Sequence, residues 1–459
     1  MEKDNDLSRR EVVKMAGAGT MTAAAIRTAH AASNTVSYAV IGTGSRGSYL
    51  MRHFNGIDGG RCLAACDIHE PNLKSGLEAS RDKPQGYKDY REILARKDID
   101  AVVVTTPLYA HFQVTRDALL AGKHVFCEKS LVFRPEEVHA LRKVAVERPK
   151  QVLQVGLQRR YSKFYQTARQ MIEKGMLGEV THVQAQWHRN PGWTMRPDPV
   201  RQKERNWRLF REYSGGLTAE LASHQIDVAD WMFDAHPEFV TGVGGLDFHK
   251  DGRDIYDNIQ LIFSYPKGRK LMYSAISTNK HLPLFGSSRN EFGEIIMGTE
   301  GTIHITVGSD DEPAMGLWFY EPGPKKAAPA GEKKEKAVVA GATLASTGKG
   351  GRGFPILLER DQVTGKENFF ARELKFARLW LYQKGVMVPE EDRNPVDIEL
   401  ESFLECCRTG ARPRADLEVG LADSTMVMLA NLAMDEGRRV YFNEIDKMGR
   451  TPEPKGRRG

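Results

Sequence analysis

Glu220, His224 and Asp227 stand four and then three residues apart within residues 214–231, SGGLTAELASHQIDVADW. In a helix, at about 100° per residue, all three fall on one stripe. A carboxylate, an imidazole and a second carboxylate on one face make a tuned general base, the acids orienting the ring and holding its charged form. The same stripe serves equally as a solvated polar face, because Ile226, Val228, Ala229 and Trp231 supply a separate apolar face for packing. A second reactive group is Lys129, where the apolar run 124–127 ends in Glu128, Lys129 and Ser130. At a strand end a lysine either holds a substrate hydroxyl and lowers the pKa of a neighbouring base, or lies exposed in a loop.

These groups need a partner to react with, and residues 36–50, VSYAVIGTGSRGSYL, suggest one. An apolar strand runs into Gly42, Thr43, Gly44, Ser45, Arg46 and Gly47 and then into a helix. In such a turn the first glycine allows the tight bend, the second lets backbone approach a pyrophosphate, and the third lets helix and strand pack closely. The helix N-terminus offers free N–H groups and partial positive charge to the phosphates. A second apolar run, 61–66, ends in Asp67, 25 positions after Gly42, near the roughly 20 expected of the acid that binds the ribose hydroxyls. An aspartate there repels a 2'-phosphate, so NAD is favoured over NADP. The bare glycine pattern also occurs in plain turns; the strand, helix and acid around it favour the cradle.

From residue 36 to about 155, strand-like runs alternate with helix-like ones, which predicts a parallel sheet with helices on both faces. The run 101–106, AVVVTT, ends in Pro107. Ligands of such sheets sit outside the carboxyl ends of the strands, so Thr106, Pro107 and nearby His111 are expected to face the cofactor, although a histidine there serves equally in packing. Beyond residue 155 the pattern changes. A helix near 163–173 leads into strand-like runs at 179–187, 239–246, 257–265, 270–277, 294–298 and 302–306, joined by short turns. That predicts a second, α+β domain with a large, mainly antiparallel open sheet.

Length and composition bound the remainder. At 459 residues, 41% of them apolar, the chain can bury a sizeable core and divides into two or three domains. Residues 1–31 carry Arg9 and Arg10, a Gly/Ala-rich apolar stretch and Ala29-His30-Ala31. The expectation is a twin-arginine export signal cleaved after Ala31, the alternative being a plain tail. That route carries folded proteins, so a cofactor can be loaded before export into a periplasmic or extracellular space with no NAD pool. No other segment is expected to be long enough to cross a membrane. The net charge of +6 resides in residues 321–352 (+4), 446–459 (+3) and the first 31 residues (+1), leaving the body at about −2. A basic balance confined to a loop and a tail argues against a nucleic-acid groove. The five cysteines lack a zinc spacing and mostly lie in apolar runs, so they read as core thiols and no metal site is expected. The expected division is residues 1–31 as signal, 32–155 as nucleotide-binding domain, 156–445 as substrate-binding and oligomerisation domain with a flexible insertion at 322–352, and a basic tail at 446–459. The last helix is expected to pack back on the first domain.

Between residues 188 and 214 lie six arginines, Arg189, Arg196, Arg201, Arg205, Arg208 and Arg211, with Trp193 and Trp207. Tryptophan faces suit the C–H face of a sugar, and guanidinium forks suit carboxylate or dense hydroxyls. A subunit contact or solvated loop would use the same residues. Arg160 and Tyr161 follow the 152–155 run at another candidate substrate wall.

Gly42-x-Gly44-x-x-Gly47 with Asp67, the Glu128-Lys129 pair, Glu220-x-x-x-His224-x-x-Asp227, and a C-terminal stretch with Phe403, Gly410, Pro413, Gly420 and residues 430–437 together resemble the glucose-fructose oxidoreductase, inositol dehydrogenase and rhizopine-catabolism (Gfo/Idh/MocA) family. The resemblance covers nearly all of the chain after residue 31. It implies an amino-terminal Rossmann domain binding NAD(P), a carboxyl-terminal domain whose sheet covers the substrate, and homo-oligomers formed through that sheet. It implies that Lys129 is the active-site lysine, with Glu128 beside it, and that His224 is the catalytic histidine. Glu220 stands where the family usually has aspartate, and Ser130 where it usually has proline. The expected activity is hydride transfer between NAD and a sugar, polyol or related polyhydroxy compound by an exported enzyme with tightly held cofactor. A redox-neutral, glycoside-cleaving enzyme of the same family and a non-catalytic NAD- and sugar-binding protein are the alternatives.

Overall fold

The computed structural model describes residues 35–189, 193–279, 292–306, 315–320 and 393–448, with Arg372 and Lys375. The expected signal, the 322–352 insertion and nearly all of the basic tail lie outside these residues.

The first sheet has six parallel strands: β1 (Val36–Ile41), β2 (Gly60–Cys66), β3 (Gln85–Tyr87), β4 (Ala101–Val104), β5 (His124–Cys127) and β6 (Leu153–Val155), in the order β3-β2-β1-β4-β5-β6. All four residues of β4 are buried, as a strand covered on both faces requires. Register decides what the sheet presents. Ile41 pairs with both Cys66 and Val104, Val104 pairs with Cys127, and Cys127 with Val155. Gly42, Asp67, Thr105, Glu128 and Gly156 are therefore the next residues along one carboxyl edge, although 114 positions separate the first from the last. That edge is where ligands of doubly wound sheets sit.

The glycines at this edge are sterically obligatory. Gly42 has φ of +95°, and a Cβ on it would lie 2.7 Å from the Thr105 carbonyl carbon; one on Gly47 would lie 2.0 Å from the Gly42 oxygen. Helix α1 (Ser45–Phe54) follows at once.

The second sheet has eight strands: β7 (Val180–His188), β8 (Phe239–Gly245), β9 (Asn258–Ser264), β10 (Lys270–Ile276), β11 (Phe292–Gly298), β12 (Gly301–Thr306), β13 (Met315–Tyr320) and β14 (Val440–Tyr441). Its order is β13-β12-β11-β7-β10-β9-β8-β14, and every neighbouring pair is antiparallel except β7 with β10. The mainly antiparallel α+β layer read from the sequence is thus present. Helix α2 (Ser223–Phe233) packs against it, buried at every residue but Trp231.

Two late helices join the halves. Helix α3 (Pro395–Thr409) starts on an Asn394 cap that accepts from the Val396 N–H, has Pro395 at its first position, and stops at Gly410 with φ of +72°. Its Leu400, Phe403 and Leu404 share a buried cluster with Val36, Val40, Leu50 and Phe126 of the nucleotide-binding layer. Helix α4 (Leu417–Glu436) runs from an Asp416 cap to Gly437. It corrects one expectation, being the one described helix long and apolar enough to cross a membrane; 61% of that stretch is buried inside the protein, so here it is a core helix. The five cysteines are free thiols, four of them buried.

Candidate active site

The chain does not enter α2 as one continuous α-helix. Thr218–Ala222 form a turn of π-helix immediately before it, a local widening of the helix that is frequent at functional sites. Two carbonyls of this turn accept from Lys129, whose Nζ donates to Ala219 O at 3.0 Å and to Glu220 O at 2.8 Å. Lys129 leaves the end of β5 and is thereby fastened to the start of α2, 91 positions away. Burial pulls its pKa below the usual lysine value, against the opposing pull of Glu220, Glu128 and Asp423.

His224 lies in the first turn of α2, its ring centre 6.0 Å from that of Trp187 on β7. Burial, then the positive charges of Lys129, Arg159 and Arg46, push its pKa well below 6.5. This overturns the expectation that neighbouring acids hold the charged ring. Neither predicted carboxylate bonds to the imidazole: Glu220 accepts from Arg208 Nε at 2.8 Å, and Asp227 is gripped by Arg160 through three bonds of 2.7 to 3.0 Å. The π-turn displaces Glu220 from the regular stripe, and each arginine outcompetes a neutral imidazole for its carboxylate. His224 Nδ1 is buried and has no hydrogen-bond partner among the described residues. The solvated-stripe alternative also fails, since His224 and Asp227 are buried and Glu220 is half-buried and ion-paired with Arg208.

Other placements differ from the sequence reading as well. His111 is expected to face the cofactor, yet its ring is 2% exposed and bracketed by Ser130 O and Thr106 O, each 2.8 Å from a ring nitrogen. It ties the ends of β4 and β5 together instead. Arg160 is spent on Asp227 and lies over the Trp231 ring, and Tyr161 is a core side chain, 1% exposed. Neither forms a substrate wall. Trp193 and Trp207 do share a neighbourhood with the site, through Arg208.

At the cradle, Asp67 accepts from the Thr43 N–H at 2.8 Å and, through its other oxygen, from the His69 N–H at 2.8 Å. Arg46 donates to Glu128 at 2.6 Å and to Gln158 at 2.8 Å, so these two expected cofactor residues hold each other. Thr106 and Pro107 sit half-buried just beyond β4. A loop kept open by glycines that a Cβ would fill, with a helix start behind it and an acid at the next strand end, fits a dinucleotide pyrophosphate and ribose.

Three contributions to the reacting groups were not assigned from the sequence. Arg208 anchors Glu220. Arg159 pairs with Glu294, which Tyr165 also reaches, and the charge of this buried guanidinium helps lower the His224 pKa. Asp423, on α4, is 1% exposed, and neither of its carboxyl oxygens has a hydrogen-bond partner among the described residues. Burial, then Asp227, push its pKa well above the usual carboxylate range, against the opposing pull of Lys129. An acidic residue in the middle of an otherwise apolar helix was the signal available for it.

Comparison with known proteins adds the family. Residues 36–157 match an oxidoreductase family's NAD-binding Rossmann fold, and residues 165–304 match the GFO/IDH/MocA C-terminal domain. Inositol 2-dehydrogenase of Salmonella typhimurium is 28% identical over 200 residues, 43% of this chain and 54% of that protein. A glycosyl hydrolase family 109 protein of Shewanella is 31% identical over 192 residues, 40% of this chain and 41% of that protein. The chain spans about half the length of the curated relatives it matches. Among solved structures, aldose-aldose oxidoreductase from Caulobacter crescentus superposes with a TM-score of 0.63 at 19% identity, over 89% of this chain and 99% of the other, a likeness of fold.

Proposed function

The chain belongs to the Gfo/Idh/MocA oxidoreductase family, and from that premise we propose that it oxidises a CH–OH group of a sugar, polyol or related polyhydroxy compound, passing hydride to NAD. The single observation that carries the proposal is the pairing of a buried, neutral His224 with a tethered Lys129 at the carboxyl edge that also bears the Gly42 cradle. Bound there, NAD supplies the hydride acceptor.

The chain's own residues supply the rest. Gly42, Gly44, Ser45, Arg46 and Gly47 with the α1 N-terminus hold the pyrophosphate, and Asp67 holds the ribose hydroxyls. His224, kept neutral by burial and nearby cations, takes the hydroxyl proton. Lys129 spends two donors on Ala219 O and Glu220 O, and its third polarises the substrate oxygen. Glu220, held ionised because Arg208 and Lys129 outweigh its burial, fixes the π-turn that carries Lys129's acceptors. The expected role of Asp227 becomes positional: its ion pair with Arg160 secures the helix bearing His224.

The proposal includes export by the twin-arginine route with cofactor already bound, supported by Arg9, Arg10 and the Ala29-His30-Ala31 site. A tightly held cofactor then needs a second substrate to return the hydride. The Shewanella relative favours one further reading, transient oxidation that permits glycosidic cleavage with no net redox change.

The test uses the purified protein with NAD, a panel of polyols and sugars, and the near-ultraviolet absorbance of NADH. A polyol that raises the absorbance supports the proposal, and His224→Asn should slow turnover by about 10²- to 10⁴-fold with NAD affinity kept. Glycoside cleavage with no absorbance change would move the assignment to the second reading. A His224→Asn enzyme as fast as the parent would exclude His224 as the base.

A further inference from the structure

Two guanidinium groups share one indole beside this site. Arg189, directly after β7, has its Cζ 5.1 Å from the Trp193 ring centre, and Arg208 has its own 5.9 Å from that ring and 4.2 Å from the Trp207 ring. Like charges on one ring repel each other, and here they are incompletely neutralised. Arg208 spends only Nε, on Glu220, and its Nη1 and Nη2 have no acceptor among the described residues. Arg189 has no carboxylate partner among the described residues; its one hydrogen bond is from its backbone N–H to Ile276 O at 2.9 Å.

Neighbouring arginines are treated differently. Arg159, Arg160, Arg211 and Arg253 each have a carboxylate, on Glu294, Asp227, Asp435 and Asp251. The indole between the two open guanidinium groups is firmly placed. Buried Arg253 donates to Trp193 O at 2.8 Å, and the ring packs on Leu209, Phe210 and Ile255. Asn206 ties the loop further, accepting from the Arg196 N–H and donating to Arg196 O, both at 2.7 Å.

This cluster joins the reactive groups at two points. Glu220 receives Arg208 through its carboxylate and Lys129 through its carbonyl. Trp187, whose ring lies tilted 6.0 Å from that of His224, stands two residues before Arg189, which directly follows β7. A guanidinium laid on an indole keeps its N–H edge free and oriented, ready for two parallel bonds to an oxyanion.

We infer that Arg189 and Arg208 form an anion subsite next to His224 and Lys129, and that the substrate is an anionic saccharide. Its carboxylate or phosphate group meets the guanidinium edges while Trp193 and Trp207 cover its C–H surface. The inference rests on the proposed function for the identity of the reacting site, and it deepens that proposal by fixing the substrate's charge.

Tryptophan fluorescence titration of the purified full-length protein loaded with NAD tests it, with D-glucuronate, D-glucose 6-phosphate and D-glucose as probes. One or both anions should bind about tenfold or more tighter than glucose; which of the two does so identifies carboxylate or phosphate. Arg189→Gln should abolish that preference while leaving glucose affinity unchanged, which also shows that the variant is folded. Glucose binding as tightly as both anions, neither anion binding, or a preference that survives both Arg189→Gln and Arg208→Gln would overturn the subsite. NADH absorbance separates the two proposals. A charge preference without NAD reduction keeps the subsite and removes the dehydrogenase, whereas reduction by sugars without a charge preference does the reverse.

Discussion

At His224 the local charges determine which protonation state reaches the substrate. Burial comes first, and Lys129, Arg159 and Arg46 then add cationic repulsion, so the neutral ring persists below pH 6.5. A general base is active when unprotonated, so activity falls only as pH drops through this depressed value. Lys129 acts when charged, and burial lowers its pKa from 10.5, so activity also falls as pH rises through a value below 10.5. The kcat/KM profile of the free enzyme should therefore be bell-shaped, its acidic limb below pH 6.5 and its basic limb below pH 10.5. An acidic limb above 6.5 would mean that the acids, and not the cations, govern His224. The two carboxylates in the sequence stripe were legible as residues. Their partners were not, because Arg208 and Arg160 reach them from segments 12 and 67 positions away.

Among the elements, the π-turn and helix α3 do most to assemble the site. The π-turn gives Lys129 two carbonyls, and no residue-type signal in TAELA distinguishes it from ordinary helix. Helix α3 completes the hydrophobic layer of the first sheet although its residues come some 240 positions after β6. Phe403 is fully buried and meets Phe126 of β5 edge to face, with centroids 5.7 Å apart. Phe403→Ala should destabilise the protein by about 3–5 kcal/mol, measured by denaturant unfolding, and should weaken NAD binding because β5 carries Glu128 and Lys129. A loss under about 1 kcal/mol would show that α3 is merely laid against the sheet. The 395–409 helix was read from the sequence as part of the second domain. Its amphipathic pattern says that one face is buried, and only the tertiary structure says against which sheet.

Across the whole molecule, one continuous core includes Ala39, Val102 and Val155 of the first sheet, Val183 and Leu261 of the second, and Ala430 of α4. The walls of the cofactor edge thus belong to a single packed body. The protein recovered from outside the cytoplasm should begin at Ala32 and release NAD on denaturation, both read by mass spectrometry. Recovery only from the cytoplasm with residues 1–31 intact would refute the export proposal, and an emptied exported protein would refute cofactor retention alone.

The amino-acid sequence by itself determined what depends on local chemistry. A glycine at φ of +95°, alternating apolar strands and helices, and an aspartate at a strand end are constraints of short range, so the Rossmann layer and the mainly antiparallel second sheet could be read directly. Lys129 and His224 could be nominated as reactive types in suggestive places. Their protonation states and partners were decided by the tertiary structure. Electrostatic free energy depends on distance and burial in space, and Arg46, Arg159, Arg208 and Asp423 approach the site from four different parts of the chain. For the same reason Arg160, Tyr161 and His111, plausible as ligand contacts in sequence, became an ion pair, a core aromatic and a strap between two strands.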